Sequence, residues 1–227
     1  MAPTPPGILR GWGQVLAIVL LLEVGGILGG LTGFIPLAAI SSVVVPLLAA
    51  HWFLRREGMS WRSLVVATTL PAWAIAAWAA LALALILAVV WALGPLLDAF
   101  GVPPMDYSLF VTLLEGNTTM YLWMLLPVSW GSAAFGEELL VRGFLQHRLG
   151  GLTNPGAAVI LQALIFAAAH FYQGLGGMVN VFVVGLVFGA IYRRCGRNLI
   201  PLFIAHGLID SFAMTVFYLG EAERFMS

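Results

Sequence analysis

Charged residues are scarce in this sequence, lysine is absent, and there is a single cysteine. Only 9% of the residues are charged and 61% are hydrophobic, whereas about a quarter of a soluble domain is charged. These deficits exclude a soluble domain and indicate an integral membrane protein in contact with the lipid bilayer. The net charge of zero and the lack of a basic stripe argue against a nucleic-acid partner. Cys195 has no second cysteine to pair with, which excludes an internal disulfide.

Apolar runs of about 20 residues, long enough to cross a hydrocarbon core about 30 Å thick, recur along the chain. We count about seven, of which the fifth and sixth are short, and a tight hairpin or a re-entrant turn near 174–177 is an alternative to two full spans. The runs lie near 14–34, 36–54, 70–94, 120–147, 156–172, 177–193 and 199–219. The sequence therefore predicts an all-α fold, a polytopic helix bundle forming a single integral membrane domain over residues 1–227.

The positions of the arginines predict the orientation of the chain, because short loops rich in Lys and Arg stay in the cytoplasm. Eight arginines flank the predicted spans on one side: residues 10, 55, 56, 62, 148, 193, 194 and 197. Seven spans then give a cytoplasmic N-terminus and an external C-terminus, and we expect the inner (plasma) membrane of a prokaryote. The first run carries Glu23 and lacks a convincing cleavage site, which favours a transmembrane helix over a signal peptide.

Glycines recur four residues apart in the first span, at Gly25, Gly29 and Gly33. Missing side chains allow another helix backbone to approach closely. Packing within the chain is the favoured interpretation, and a homodimer formed through this helix is the alternative. Gly185 and Gly189 repeat the spacing in the sixth span.

Two acids and an arginine lie close together in the fourth span, at Glu137, Glu138 and Arg142. Each charged residue costs about 2.5–3.5 kcal/mol at the centre of a bilayer helix, so this cluster indicates a function. Glu138 and Arg142 are four residues apart with the acid first, which predicts an ion pair within the helix. Glu137 points to another face of the helix, where we expect it to line a cavity.

Histidines occupy two later spans. Phe166 and His170 share a helix face with only alanines between them, and His206 and Asp210 share a face in the last span, so that the carboxylate can hold the imidazole by a hydrogen bond. A lone intramembrane histidine is often only a hydrogen-bond partner between helices. Together with Glu137, however, two such histidines predict an active site in which all three side chains line one water-accessible cavity.

These motifs resemble those of the CPBP intramembrane proteases, also called the Abi or CAAX-protease and bacteriocin-processing family. That family is marked by Glu-Glu-x-x-x-Arg, Phe-x-x-x-His and His-x-x-x-Asn or Asp on successive helices, and all three motifs occur in order over residues 137–210. The resemblance implies a catalytic core in the last four helices and hydrolysis of a peptide bond. It also implies that Glu137 and His170 activate a water and that His206 with Asp210 stabilises the oxyanion.

The resemblance is compatible with both a glutamate-dependent and a metal-dependent reaction. Glu137, His170 and His206 are the ligand types of a catalytic zinc or another divalent metal, but the helical His-Glu-x-x-His arrangement of common zinc proteases is absent. Asp210 stands where the prenyl-protease branch has Asn, and an ionised Asp cannot donate a hydrogen bond to an oxyanion. We therefore hypothesise that Asp210 orients His206 and favours its protonated form.

Two functions from other classes stay open. A proton- or ion-coupled transporter also uses Glu, His and Arg inside a bundle, and a non-catalytic immunity or scaffold protein could keep the same fold. The absence of a detectable inverted repeat and the concentration of polar motifs in the second half of the chain favour the protease. Its substrate is expected to be a peptide or a membrane-anchored protein, and a prenylated CAAX substrate is implied by one branch of the family alone.

Overall fold

The all-α prediction is confirmed by a computed structural model, which describes residues 7–226 and contains no β-strand among them. One segment, π1, is a π-helix, in which each backbone N–H bonds to the carbonyl five residues earlier. The elements are α1 (Ile8–Gly30), α2 (Ile35–Arg56), α3 (Trp61–Val65), α4 (Ala72–Ala99), α5 (Ser108–Leu114), α6 (Thr118–Trp123), π1 (Met124–Gln146), α7 (His147–Leu152), α8 (Pro155–Ala168), α9 (Gly174–Arg194), α10 (Ile200–Tyr218) and α11 (Ala222–Met226).

The count of seven spans is not confirmed. Five helices of the described region are long and apolar enough to cross a membrane: α1, α2, α4, α10, and α9 together with the short 3₁₀ turn Phe171–Gln173 before it. A sixth span results if α5 and the continuous helix Thr118–Leu152, bent by 118° relative to each other, are taken as one. α8 has 14 residues and is about 21 Å long, which is short for a membrane span.

The limits of several predicted helices differ from those in the structure. The run predicted at 156–172 ends as a helix at Ala168, so His170 lies just beyond it, before the 3₁₀ turn. The run predicted at 120–147 is part of a continuous helix from 118 to 152, and the first begins at Ile8 and ends at Gly30. Hydropathy reports how long an apolar run is, whereas backbone hydrogen bonds decide where a helix begins and ends.

π1 lies at the centre of the bundle and packs against α2, α8, α9 and α10. Leu140, Phe144 and Leu145 in its second half are almost completely buried, in a cluster with residues of α1 and α2. Leu139 packs on the other side, in a cluster with residues of α4, α9 and α10. Glu138 and Arg142, in this half of π1, therefore lie among protein side chains.

Gly25 and Gly29 of α1 pack within the chain, as favoured above, whereas Gly33 lies beyond the end of α1 and has no neighbour within 4 Å of an added methyl group. A side chain at Gly25 would overlap the backbone of Ser41 in α2, and one at Gly29 would overlap the hydroxyl of Ser41 and the carbonyl oxygen of Leu37. The Ser41 hydroxyl also lies 2.7 Å from the carbonyl oxygen of Gly25 and donates to it. Gly185 likewise lies against Ala163 of α8. A homodimer through the remaining surface of α1 stays a prediction.

Arg148, one of the arginines expected on a single side of the membrane, lies in a buried polar cluster. Arg148 Nη2 donates to Glu57 Oε2 at 2.6 Å, and Gln14 Nε2 donates to Glu57 Oε1 at 2.7 Å. All three side chains are buried, so this cluster ties α1 and α7 to the end of α2. Sequence analysis treated Arg148 only as a loop charge and did not single out Glu57. The orientation of this end relative to the cytoplasm stays a prediction.

Replacing Gly29 by alanine should destabilise the bundle, because the added methyl group meets the backbone of α2. We expect a loss of about 1–3 kcal/mol, as in other overpacked sites, seen as a lower thermal unfolding midpoint of the purified protein in detergent. Gly30→Ala is the matched control, since Gly30 has no neighbour within 4 Å of an added methyl group. Equal midpoints for the two variants would contradict this account of the α1–α2 contact.

Candidate active site

Glu138 joins two of the three sequence motifs. Its Oε1 atom accepts hydrogen bonds from Nη1 of Arg142 at 2.9 Å and from Nδ1 of His206 at 3.0 Å. The side chains of Glu138 and Arg142 are fully buried, and that of His206 is 12% exposed. The ion pair expected from the spacing is therefore formed. The bond to His206 was not predicted, because it joins π1 to α10 across 68 residues of sequence.

Two aromatic rings flank the guanidinium of Arg142. Its central carbon lies 4.6 Å from the ring centroid of Phe166 in α8 and 5.3 Å from that of Phe188 in α9. A cation near an aromatic face in a desolvated site is stabilised by about 2 kcal/mol or more. The phenylalanine of the Phe-x-x-x-His motif thus contacts the arginine of the first motif. Phe188 was missed, and nothing in its local sequence distinguishes it from other apolar residues of α9.

His170 is held by the backbone at the end of α8. Its Nδ1 atom lies 2.8 Å from the carbonyl oxygen of Phe166. Because a carbonyl only accepts, Nδ1 carries the hydrogen and donates, which leaves Nε2 of the neutral ring as an acceptor. The ring also meets Phe166 edge to face at 4.7 Å and stacks on Tyr172 at 5.8 Å. The shared face of Phe166 and His170 is present, although His170 itself lies outside the helix.

The expected hydrogen bond between Asp210 and His206 is not formed. Nε2 of His206 and Oδ1 of Asp210 are 3.8 Å apart, within reach of an ion pair but longer than a hydrogen bond. The imidazole instead uses Nδ1 to bond Glu138, so its two nitrogens face two different carboxylates. The four-residue spacing correctly predicted that Asp210 lies near His206, but the carboxylate that bonds the ring is that of Glu138 on π1.

Glu137 is half-buried and makes no hydrogen bond or ion pair within residues 7–226. It lies close enough to His206 and Tyr172 to interact with them electrostatically, and His170 lies within the same range of His206 and Asp210. The structure thus gathers residues of all three motifs in one region. It gives no direct contact between Glu137 and His170. A single water-accessible cavity lined by these side chains, and their catalytic roles, stay predictions.

Close packing beside His206 depends on Gly207. A side chain there would meet the ring of Trp130 in π1 at 2.6 Å. The indole Nε1 of Trp130 also donates to the hydroxyl of Ser211 in α10 at 2.9 Å. Trp130 and Gly207 therefore determine how closely π1 and α10 approach. This separation in turn sets the distance from Glu138 on π1 to His206 on α10.

Ligand types for a metal are present here, but the described side chains are not grouped as a metal site. No three His, Cys, Asp or Glu side chains of the described chain are grouped so that they could hold a metal ion. His170 and His206 each use Nδ1 within the protein, which leaves Nε2 as the nitrogen through which either ring would bind a metal. We derive no step through a metal, and the set Glu137, His170 and His206 stays a prediction as a ligand group.

A comparison with protein families finds a match to part of the chain. Residues 118–212 match the family described as Rce1-like, the type II CAAX prenyl endopeptidases. The matched region begins with α6 and ends within α10, so it contains all three motifs. No curated protein and no solved structure matches the chain. Residues 118–212, somewhat less than half of the chain, are therefore similar to the Rce1-like family of CAAX-protease-type endopeptidases, the family that the three motifs resemble.

Proposed function

We propose that this protein hydrolyses a peptide bond, within the membrane, of a peptide or a membrane-anchored protein. The observation that carries the proposal is the buried network in which Glu138, next to Glu137 in the chain, bonds Arg142 and His206 while Arg142 lies against Phe166 of the Phe-x-x-x-His motif. The match to a protease family over the same residues supports it. The printed description of that family, a CAAX prenyl endopeptidase, makes a prenylated carboxyl-terminal peptide the first substrate to try.

Glu137 is the proposed general base. It has no hydrogen-bond or ion-pair partner in the described part of the protein, so both carboxylate oxygens are free to take a proton from water. The water oxygen then attacks the carbonyl carbon of the substrate to give a tetrahedral oxyanion. When the C–N bond breaks, Glu137 returns the proton to the leaving amine.

His170 is proposed to orient that water. Its Nδ1–H is engaged by the carbonyl oxygen of Phe166, so Nε2 accepts a hydrogen bond from the water. This role needs a fixed ring more than a charged one, and the contacts with Phe166 and Tyr172 hold the ring from two sides.

His206 is proposed to stabilise the oxyanion. With Nδ1–H bonded to Glu138, a positively charged ring has Nε2–H available to donate to the developing negative charge. Asp210, 3.8 Å from Nε2, then stabilises the charged ring by Coulombic attraction without donating a hydrogen bond itself. Glu138 in this account is a positioning residue, because it acts through His206 and Arg142.

A metal-dependent reaction is the alternative that the family resemblance leaves. Two measurements on the purified protein distinguish a metal-dependent from a glutamate-dependent reaction. They are its metal content and its rate of peptide cleavage, each before and after treatment with a chelator. A bound zinc whose removal abolishes cleavage would replace the mechanism proposed here.

Glu137→Gln should abolish cleavage, because an amide cannot take up the proton. We expect the rate to fall by a factor of about 100 to 10,000, the usual contribution of a general base, with purified protein and a fluorogenic farnesylated peptide that ends in a CAAX sequence. An unprenylated version of the peptide tests the prenyl requirement. Glu23→Gln is the control, since Glu23 is an exposed acid of α1. Cleavage by Glu137→Gln at the wild-type rate would exclude Glu137 as the base.

Glu138→Gln should act on stability as well as on activity. It leaves the fully buried guanidinium of Arg142 without its counter-charge, and breaking a buried pair in this way costs about 3–5 kcal/mol. We therefore expect a lower thermal unfolding midpoint for Glu138→Gln and an almost unchanged one for Glu137→Gln. The reverse order of the two midpoints would overturn the division of roles between these neighbours.

Asp210→Asn tests whether the second carboxylate supports a charged His206. Loss of the negative charge weakens the stabilisation of the imidazolium, so the loss of activity at high pH should begin at a lower pH than in the wild type. The measurement is the pH profile of peptide cleavage. Full activity with an unchanged profile would show that Asp210 has no such role.

A further inference from the structure

A cavity of about 650 Å³ opens at the arginine-rich end of the bundle, where α7, the start of α8 and the end of α9 meet residues 67–68. Four basic residues line it, namely His147, Arg148, Arg193 and Arg197, and none of its described lining residues is acidic. None of the proposed catalytic residues lines it either. The cavity is therefore separate from the candidate active site, and its charge favours an anion.

The positive charge of this cavity is only partly compensated. Arg148 is paired with Glu57, whereas Arg193 contacts only a backbone acceptor, with Nη1 3.0 Å from the carbonyl oxygen of Pro155. The side chain of Arg197 has no hydrogen bond or ion pair with any described residue. Two guanidinium groups thus face the cavity without a carboxylate partner.

The backbone of Arg197 adopts a conformation that most side chains avoid. Its φ is 57°, and it is the only non-glycine residue with positive φ in the described chain. Hydrogen bonds hold this conformation on both sides, from its N–H to the carbonyl of Tyr192 at 2.8 Å and to its own carbonyl from the N–H of Ala67 at 3.1 Å. Glycine or asparagine would occupy such a position at lower cost. The strain is consistent with a role for the arginine side chain in the cavity.

Buried polar atoms in the wall of the cavity also lack partners. Arg148 is 5% exposed, and its Nε–H has no acceptor within the described residues. Gln146, 4% exposed, donates from Nε2 to the carbonyl of Gly189, and its Oε1 has no donor within the described residues. The two guanidinium groups of Arg193 and Arg197, which line the cavity without a carboxylate partner among the described residues, match the several acceptor oxygens of a phosphate.

We propose that this cavity binds the phosphate of an anionic membrane lipid. Basic recesses between helices at the cytoplasmic side of a membrane protein suit such head groups. The helix that begins at the cavity, α8, continues with Ile160 and Leu164, which are each 50% exposed and lie four residues apart on one face. A lipid whose head group sits in the cavity would have an apolar surface along which to lay its acyl chains. This site is independent of the proposed hydrolysis.

The test is binding of phosphatidylglycerol to the purified protein in nanodiscs of phosphatidylcholine, measured by native mass spectrometry. Arg193→Gln combined with Arg197→Asn removes both free charges, and asparagine tolerates the left-handed backbone at 197. We expect this double variant to bind phosphatidylglycerol about tenfold or more weakly than the wild type. Arg194→Gln is the matched control, because Arg194 is an exposed neighbour in sequence that does not line the cavity, and it should bind like the wild type.

A second arm distinguishes a lipid from free phosphate. Inorganic phosphate at fixed ionic strength is added to the protein in phosphatidylcholine alone, and the thermal unfolding midpoint is measured. A midpoint that rises in the wild type but not in the double variant supports the phosphate site with free phosphate as its occupant. If the double variant is unstable, the single variant Arg193→Gln, which leaves Arg197 and its backbone unchanged, replaces it in both measurements. Equal binding by wild type and double variant in both arms, or an equal loss in Arg194→Gln, would overturn the proposal.

Discussion

The interior of this bundle depends on one buried charge network, in which Glu138 bonds both Arg142 and His206. Removing two charges from water costs about as much as their attraction returns, so the pair contributes little net stability by itself. The pair instead serves to position the side chains and helices around it. Glu138 connects π1 to α10, and Arg142 contacts Phe166 of α8 and Phe188 of α9. Apolar side chains could hold these four helices together, but they could not orient an imidazole.

Both motif histidines are fixed by a hydrogen bond from Nδ1, although the acceptors differ. His170 donates from Nδ1 to a backbone carbonyl just past the end of α8, and His206 donates from Nδ1 to a carboxylate on π1. In each ring Nε2 is left as the nitrogen available for chemistry. Both rings are thus fixed in orientation, which in the proposed hydrolysis removes part of the entropic cost of the reaction. Glu137, with no such bond in the described chain, differs from its neighbour Glu138 in this respect.

The sequence predicted the membrane class, the helical fold and the ion pair between Glu138 and Arg142, because hydropathy and four-residue spacing are local properties. It did not predict that π1 is a π-helix. The apolar pattern alone does not show whether a backbone N–H bonds to the carbonyl five residues earlier, as in a π-helix, or four residues earlier, as in an α-helix. It also placed His170 inside a helix. The alanines before this residue are good helix formers, and the break follows from the 3₁₀ turn that leads into Gly174, whose φ is 73°.

What the sequence by itself determined is which chemical groups lie in apolar helical segments and which share a helix face. Only the tertiary structure decided which partner each group takes. His206 bonds Glu138 rather than Asp210 on its own helix, and Arg148 is buried against Glu57, 91 residues away. The physical reason is that local spacing sets the direction of a side chain, whereas packing between helices sets its distance from a partner. At close packed positions such as Gly207 beside Trp130, that distance depends on segments far apart in the chain.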